Sequence, residues 1–328
     1  MATITTPVTL LEAARTGMLS QRDSKLVEVF RQDQTMRPGG SINFFDIFPF
    51  LDIPGKLEYS FQRELGLPTI TPRGLNATVT RTVASTENVT EGLKIYPAEF
   101  IMDKALLRTE AGQQTLLNQT LMHGKAILQT VQNHIFKGDG NSSAHQFTGL
   151  QARITGSDYL LSEGSTDGGD PLQIATLRQA IDTCYGPNRV IVCGKAMGRR
   201  LAAAPSVTTG VGSITNITLD QWGITVAAFD GIPIIPVAGF DGQDNILDFS
   251  ETGAGGSTAT ATSVYVLSLG EDGVHGLRNG GLLDWSLPSG ATGEQADVHD
   301  MMFLPGMCIK RKQAAIRIYG ISNAAVIA

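Results

Sequence analysis

Residues 103–140 read DKALLRTEAGQQTLLNQTLMHGKAILQTVQNHIFKGDG. Leu107, Leu117, Leu121, Leu128, Val131 and Ile135 recur mainly at heptad-like spacings, with Gln113, Gln114, Asn118, Gln129 and Gln132 at the other positions. That pattern predicts one long amphipathic helix over 103–137, which at 1.5 Å per residue would span roughly 50 Å. Gly112 and Gly124 count against its continuity, since each costs about 1 kcal/mol relative to alanine. Gly138 is placed to end it as a C-cap, and Lys137-Gly138-Asp139-Gly140 then turns the chain towards Phe147-Thr148-Gly149-Leu150.

Working outward towards the N-terminus, residues 77–83 (ATVTRTV) are rich in β-formers, as is the stretch before them. Pro68, Pro72 and Gly74 mark a hairpin tip. The alternation puts threonine outward and valine inward at best, so a two-stranded ribbon here buries little on either face. Such a ribbon is marginal alone and needs a partner surface, from another domain or another subunit. Further upstream, residues 10–18 and 25–31 could each form a short helix, and Arg37-Pro38-Gly39-Gly40 breaks any helix. The segment SINFFDIFPFLDIPG (41–55) packs Phe44, Phe45, Phe48 and Phe50 into seven residues. Two readings stay open for it: a strand or turn that plugs the core, or an arm that docks on a neighbouring subunit.

Towards the C-terminus, Asp170-Pro171 reads as an N-cap and first position of a helix running through Leu172, Leu177, Ala180 and Ile181. Residues 190–193 (VIVC) are a buried-strand run, and 195–204 a helix stopped at Pro205. Short strands are expected at 224–226, 232–237 and 246–247, which makes 170–250 a compact α/β lobe. Residues 251–262 (ETGAGGSTATAT) read as a flexible loop. Strands follow at 264–269, 273–277 and 282–287, with one long strand over 307–319 that contains Lys310-Arg311-Lys312. This β-rich tail suggests that the chain returns to the part of the fold it left near residue 150.

The 328 residues allow one large domain or two moderate ones. With 42% hydrophobic and 17% charged residues the chain is not mainly disordered. The 37 glycines lack a Gly-X-Y period and indicate turns and extended loops rather than collagen. Lys+Arg 25 against Asp+Glu 31 gives a net charge of -6, with a pI near 5.4; this is not the basic field of a dedicated DNA reader. Cys184, Cys193 and Cys308 form no CxxC pair and read as reduced thiols. No secretory leader and no stretch of roughly 18 apolar residues is present, so no membrane partner is expected. The Asn-X-Ser/Thr matches at Asn76, Asn88, Asn118, Asn141 and Asn216 are then chance in a Thr-rich chain.

No catalytic set emerges, so the chain is not expected to be an enzyme, and no cofactor or metal is implied. His123, His134, His145, His275 and His299 lie in unrelated contexts, outside any HExxH, and no GxSxG elbow occurs. Gly194-Lys195 mimics a strand–glycine–helix phosphate turn, but it lacks the Walker glycine before it and the Ser/Thr after it. Asp241-Gly242-Gln243-Asp244-Asn245 has the flavour of a calcium loop without its spacing or closing Glu, and reads as a polar turn. Arg199-Arg200 and Lys310-Arg311-Lys312 are short basic runs that read as solvated or interface faces; against a packaged polyanion they would make salt-dependent, non-specific contacts.

The order of parts is an arm, a long two-stranded loop, a long helix, a glycine turn, an α/β lobe and returning strands. This order resembles the major capsid protein of tailed bacteriophages, the Hong Kong 97-like α+β fold. Three stretches carry the likeness: His134 to Gly140 followed by Phe147-Thr148-Gly149-Leu150, similar to the family's turn after its spine helix; Asn188-Arg189-Val190-Ile191-Val192 leading into 195–201; and Phe229-Asp230-Gly231-Ile232-Pro233-Ile234-Ile235. The resemblance implies an N-terminal arm (1–55), an extended β-hairpin loop (56–100) reaching over an adjacent subunit, a peripheral domain with the spine helix (101–164), an α/β axial domain (165–260) and return strands of both domains (261–328). It implies a structural subunit that assembles with itself as pentamers and hexamers into an icosahedral virion capsid around double-stranded DNA, made in the cytoplasm of a host bacterium. A scaffolding protein, a portal and a decoration protein would be further partners. Inter-subunit contacts would then fall on Phe44, Phe45, Phe48, Phe50, Arg73, Arg81, Glu91 and Lys94. Two alternatives stand beside this: an encapsulin-type compartment shell of the same architecture, and an α/β enzyme binding a phosphate-bearing ligand near 190–200.

Overall fold

The computed structural model describes residues 44–79, 81–140, 143–203, 214–219, 224–239, 246–280, 283–287 and 296–327. The helices expected at 10–18 and 25–31, and the Asp241 to Asn245 turn, lie outside the described residues. The chain begins with α1 (Phe44–Ile47), β1 (Phe50–Asp52), the ribbon strands β2 (Glu58–Gly66) and β3 (Ser85–Gly92), and β4 (Tyr96–Asp103). Then come α2 (Lys104–Leu107), α3 (Glu110–Lys137), α4 (Leu150–Arg153), β5 (Leu160–Ser162), α5 (Ile174–Thr183), β6 (Arg189–Gly194) and α6 (Lys195–Ala203). The remaining strands are β7 (Ile214–Leu219), β8 (Ile224–Phe229), β9 (Ile232–Val237), β10 (Glu251–Thr252), β11 (Ala259–Ser268), β12 (Val274–Arg278), β13 (Leu283–Leu287), β14 (Ala296–Phe303), β15 (Pro305–Ile309) and β16 (Ala315–Ser322).

An eight-stranded mixed sheet organises the molecule, in the order β5-β16-β11-β6-β9-β8-β7, with β10 paired beside β11. Its central strands are buried on both faces, so their sequences are apolar runs rather than alternations. On one face Val264 and Val266 of β11 and Ile191 of β6 pack with Leu177 and Ile181 of α5 and Met197 and Leu201 of α6. On the other, Tyr265, Leu267 and Val192 pack with Val131, Ile135 and Phe136 of α3. Each fully buried aliphatic or aromatic side chain contributes about 1.5–3 kcal/mol. The result is a helix–sheet–helix sandwich with the end of the long helix as one layer.

The long helix starts at Glu110, seven residues later than the periodicity predicts. Thr109 caps it by accepting from Gly112 N at 3.0 Å, while its hydroxyl donates to Leu106 O at 2.7 Å. Gly112 is required here: a Cβ would stand 1.8 Å from Leu106 O, because α2 folds back on the helix start. Its 28 residues span about 42 Å. The apolar stripe faces the core only in the C-terminal half. In the N-terminal half Leu117 and Leu121 are 59% and 46% exposed, while Thr115 and Asn118 are buried. The end also differs from a left-handed cap, since Gly138 has φ -58. Glycine is needed because a Cβ would lie 2.4 Å from His134 O and 2.5 Å from Phe147 O, where the turn closes on itself through Gly149 N donating to Gly138 O at 2.7 Å.

Several expected elements shift for identifiable reasons. The helix expected from Asp170 begins at Ile174, because the Asp170 carboxylate turns back to accept from Thr166 N. Glu163, arriving from the end of β5, accepts from Gln173 N at 2.8 Å in its place. Residues 77–79 and 81–83 are not strand; pairing stops at Gly66 and Ser85, and the chain between is the tip. Residues 246–247 form bends, not a strand. The 307–319 run is two strands in different sheets, β15 and β16, with Lys310-Arg311-Lys312 at the crossing and a short 3-10 turn at Lys312–Ala314. The 251–262 loop contains β10 and the start of β11, and its turn packs tightly against 165–169: a Cβ on Gly255 would lie 1.5 Å from Ser165 O. Among the return strands, β11 and β16 complete the central sheet, β12 pairs with β1 and β15, and β14 pairs with β4 and β13. A division at residue 260 would therefore cut through β11.

Candidate assembly surfaces

The ribbon is anchored at its base and bare at its tip. In β2 and β3 one face carries Tyr59, Phe61 and Val89, with Phe61 directly opposite Val89. Tyr59 and Phe61 pack on a small cluster of Ile53, Leu93, Leu277, Leu304 and Cys308. This apolar patch is more than the sequence suggested. Arg63 then donates to Lys310 O at 3.0 Å and Ile309 O at 2.6 Å, tying β2 to the end of β15. On the other strand Glu91 accepts a bidentate pair of hydrogen bonds from Arg153, whose Nε donates to Thr148 O at 2.6 Å. The glycine turn after α3 thus holds the arginine that holds the ribbon. Lys94 donates to Ala144 O at 2.7 Å across the same turn.

Beyond this anchor the ribbon exposes Leu65, Leu67, Ile70, Leu75, Val79 and Val83, from 60% to 100%. Arg73 and Arg81 are both exposed in this tip, and Arg73 donates to Ala77 O at 2.9 Å. Contiguous apolar exposure on this scale marks an interaction surface rather than ordinary scatter.

The four phenylalanines divide between the two readings. Phe44 and Phe48 are 0% and 4% exposed, packed ring against tilted ring on each other and, through Phe44, on Phe136. They plug the chain's own core and present no surface to a neighbour, which corrects their assignment as contacts. Phe45 and Phe50 are half-buried and stack on each other. They line an apolar groove of ≈ 430 Å³ with Leu121, Leu128, Met301 and Phe303. Sequence reasoning missed this groove, together with the outward Leu117, Leu121 and Met122 of α3; the polar Thr115 and Asn118 among the leucines were the available signal.

Other candidates resolve simply. β6 passes into α6 at Gly194-Lys195 without a glycine-rich loop, so no cradle of backbone amides forms there. Cys184, Cys193 and Cys308 are buried thiols outside any disulfide. Burial pushes the Cys184 thiol up to about 11 and the Cys308 thiol to about 12, so neither is a ready nucleophile. No described helix is long and apolar enough to cross a membrane. One polar cluster lies inside the fold: Arg317 meets Glu251 at 2.9 Å with side-chain exposures of 10% and 6%, and Ser263 bonds both.

The family model described as Major capsid protein GP7 matches residues 62–168, the stretch from the ribbon through α3 and its glycine turn. No curated protein matches the sequence significantly. Solved structures match along most of the chain. The capsid of a native GTA particle aligns at TM-score 0.60 and 12% identity, covering 87% of this chain and 95% of that one. A Microbacterium phage Oxtober96 structure aligns at TM-score 0.58 and 11% identity, covering 97% and 99%. The holo-SrpI encapsulin complex from Synechococcus elongatus PCC 7942 aligns at TM-score 0.56 and 11% identity, covering 87% and 89%. At such identities the structures establish the fold, and the family model adds the sequence signature within it. The chain has the Hong Kong 97-like α+β fold of these capsid structures, and its residues 62–168 carry the sequence signature of the family model described as Major capsid protein GP7.

Proposed function

We propose that this chain is a structural shell subunit that assembles as pentamers and hexamers into an icosahedral virion capsid enclosing double-stranded DNA, in the cytoplasm of a bacterial host. The extended loop reaches over an adjacent subunit, and Phe45, Phe50, Arg73 and Arg81 lie in the contacts. Glu91 and Lys94 serve these contacts by fixing the ribbon's base. The observation that carries the reading is the run of exposed aliphatic side chains from Leu65 to Val83 on a ribbon whose base is firmly tied down. Water does not stabilise such a surface, and a closed symmetric assembly covers it in every copy. Contact with DNA is non-specific and salt-dependent, through the Arg199-Arg200 and Lys310-Arg311-Lys312 runs. A scaffolding protein, a portal and a decoration protein complete the set of partners.

Electron microscopy of the purified chain, alone and with its size distribution measured, tests this directly. Closed shells or rings of five and six are expected. Deletion of residues 60–90 should abolish them and leave the central sheet folded; intact shells from that deletion would overturn the reading. The likeness to an encapsulin supports a second reading, a compartment around a cargo enzyme. A co-purifying enzyme with a docking tail, in place of DNA, would carry it.

A further inference from the structure

We infer that Arg73 and Arg81 at the ribbon tip of one copy dock on a carboxylate pair, Glu99 and Asp300, on the outer face of the β13–β14–β4 sheet of a second copy. This rests on the shell reading and assigns the loop its landing site. Residues 67–84 contain two charges, both arginine, and no acid. Among the described residues neither arginine meets a carboxylate, while the aliphatic side chains around them stand in water.

The complementary surface is on β4 and β14. Phe100 and His299 lie opposite each other and turn inward, where Phe100 stacks on His123 of α3. Their strand neighbours therefore face outward. There Glu99 lies directly opposite Asp300, and like charges in that position repel across the strands. Among the described residues no cation reaches either one. Ile101, 51% exposed, follows Glu99 on the same face of β4, and Ile95, 60% exposed, lies just before the strand. An exposed Glu99 beside a half-buried Asp300, with Ile101 as apolar neighbour, thus forms an acidic centre on one part of the chain, and a basic centre with apolar shoulders lies on another.

The two cannot meet within one copy. β4 begins four residues after the ribbon's base at Gly92, whereas the tip lies at the far end of the nine-residue β2. At about 3.4 Å per residue the ribbon carries the tip roughly 30 Å from its base. The Arg63 and Glu91–Arg153 anchors hold that direction. A second copy is the occupant that supplies both the charge and the apolar match.

Charge reversal tests the contact in the full-length chain. Arg73→Glu with Arg81→Glu, and separately Glu99→Arg with Asp300→Arg, should each lower the yield of closed shells about tenfold or more, since like charges face one another at the contact. Subunit melting temperature should stay unchanged in both. The combined four-residue swap should restore yield to within about threefold of the natural chain, a recovery that independent defects would not give. Normal shell yield from either reversed pair, or no recovery in the combined swap, would overturn this contact and leave the shell reading standing. A natural chain that forms no assembly at all, with the 60–90 deletion indistinguishable from it, would overturn the shell reading and this contact together.

Discussion

β11 and the β2–β3 ribbon are strands of similar length with opposite relations to solvent. From Ala261 to Ser268 every residue of β11 is buried, between α5 and α6 on one side and α3 on the other. No residue of β2 is buried, and its tip side chains reach full exposure. The first arrangement is stable within one copy. The second leaves apolar surface exposed and relies on a few polar ties to point it. On the proposed reading, stability and assembly therefore reside in different strands and can be perturbed separately.

The largest separate effect is expected in the central sheet. Glu251→Ala leaves the Arg317 guanidinium buried without its counter-charge and should cost about 3–5 kcal/mol, read as a drop in the subunit's melting temperature. Glu91→Ala removes a bidentate partner from Arg153 at the ribbon base; about 1.5–3 kcal/mol is expected, with faster hydrogen exchange in β2 and β3 as the sharper readout. A smaller, pH-dependent effect comes from His275, which lies between these regions, edge-on to Tyr59 of β2. Burial, and then the Lys310 charge, hold its pKa below the ordinary 6.5. The unfolded chain takes up the proton first as pH falls, so stability is full above about pH 6.5 and is lost as pH drops towards the folded value. Melting curves between pH 7.5 and 5.5 should show this loss, and His275→Leu should flatten part of it; His134, also lowered by burial, supplies another part. The smallest effect on the subunit is expected for Leu75→Ser, within about 0.5 kcal/mol because the side chain is fully exposed. The same change should visibly weaken assembly; a melting temperature that falls instead would break the division between the two regions.

What the sequence disclosed follows the same division. Residues 190–193 announced a buried strand because burial on both faces demands an unbroken apolar run, and β6 is that strand. The helix before Lys137 and the glycine turn were readable because close backbone approach at Gly138 and Gly149 excludes any side chain. That the ribbon buries little of its own surface was readable from its weak apolar faces. The true ribbon strands were not: propensity favoured 77–83, whereas pairing is set by Tyr59 and Phe61 settling on a cluster that includes Leu277, Leu304 and Cys308, more than 200 positions away. Tertiary packing overrides local preference in such strands. The start of α5 was hidden for a related reason, since its capping carboxylate, Glu163, comes from another element and Asp170 is used locally. For the contact residues, nothing in the spacing of four phenylalanines separates Phe44 and Phe48, which face inward, from Phe45 and Phe50, which line a groove.

The place of β16 in the central sheet has a consequence for timing. It lies between β5 and β11, pairing Arg317 with Leu160 on one side and Tyr265 on the other. The first of those partners is more than 150 residues away along the chain. Loop closure on that scale slows folding, because the entropic cost precedes the reward. Until β16 inserts, β11 is an open edge able to recruit a stray strand from another nascent chain. Synthesis of many copies at once would then favour tangling over maturation unless closure of this sheet outpaces encounter. Refolding yield should accordingly fall steeply with protein concentration, and a chain shorn of residues 315–322 should aggregate rather than build anything.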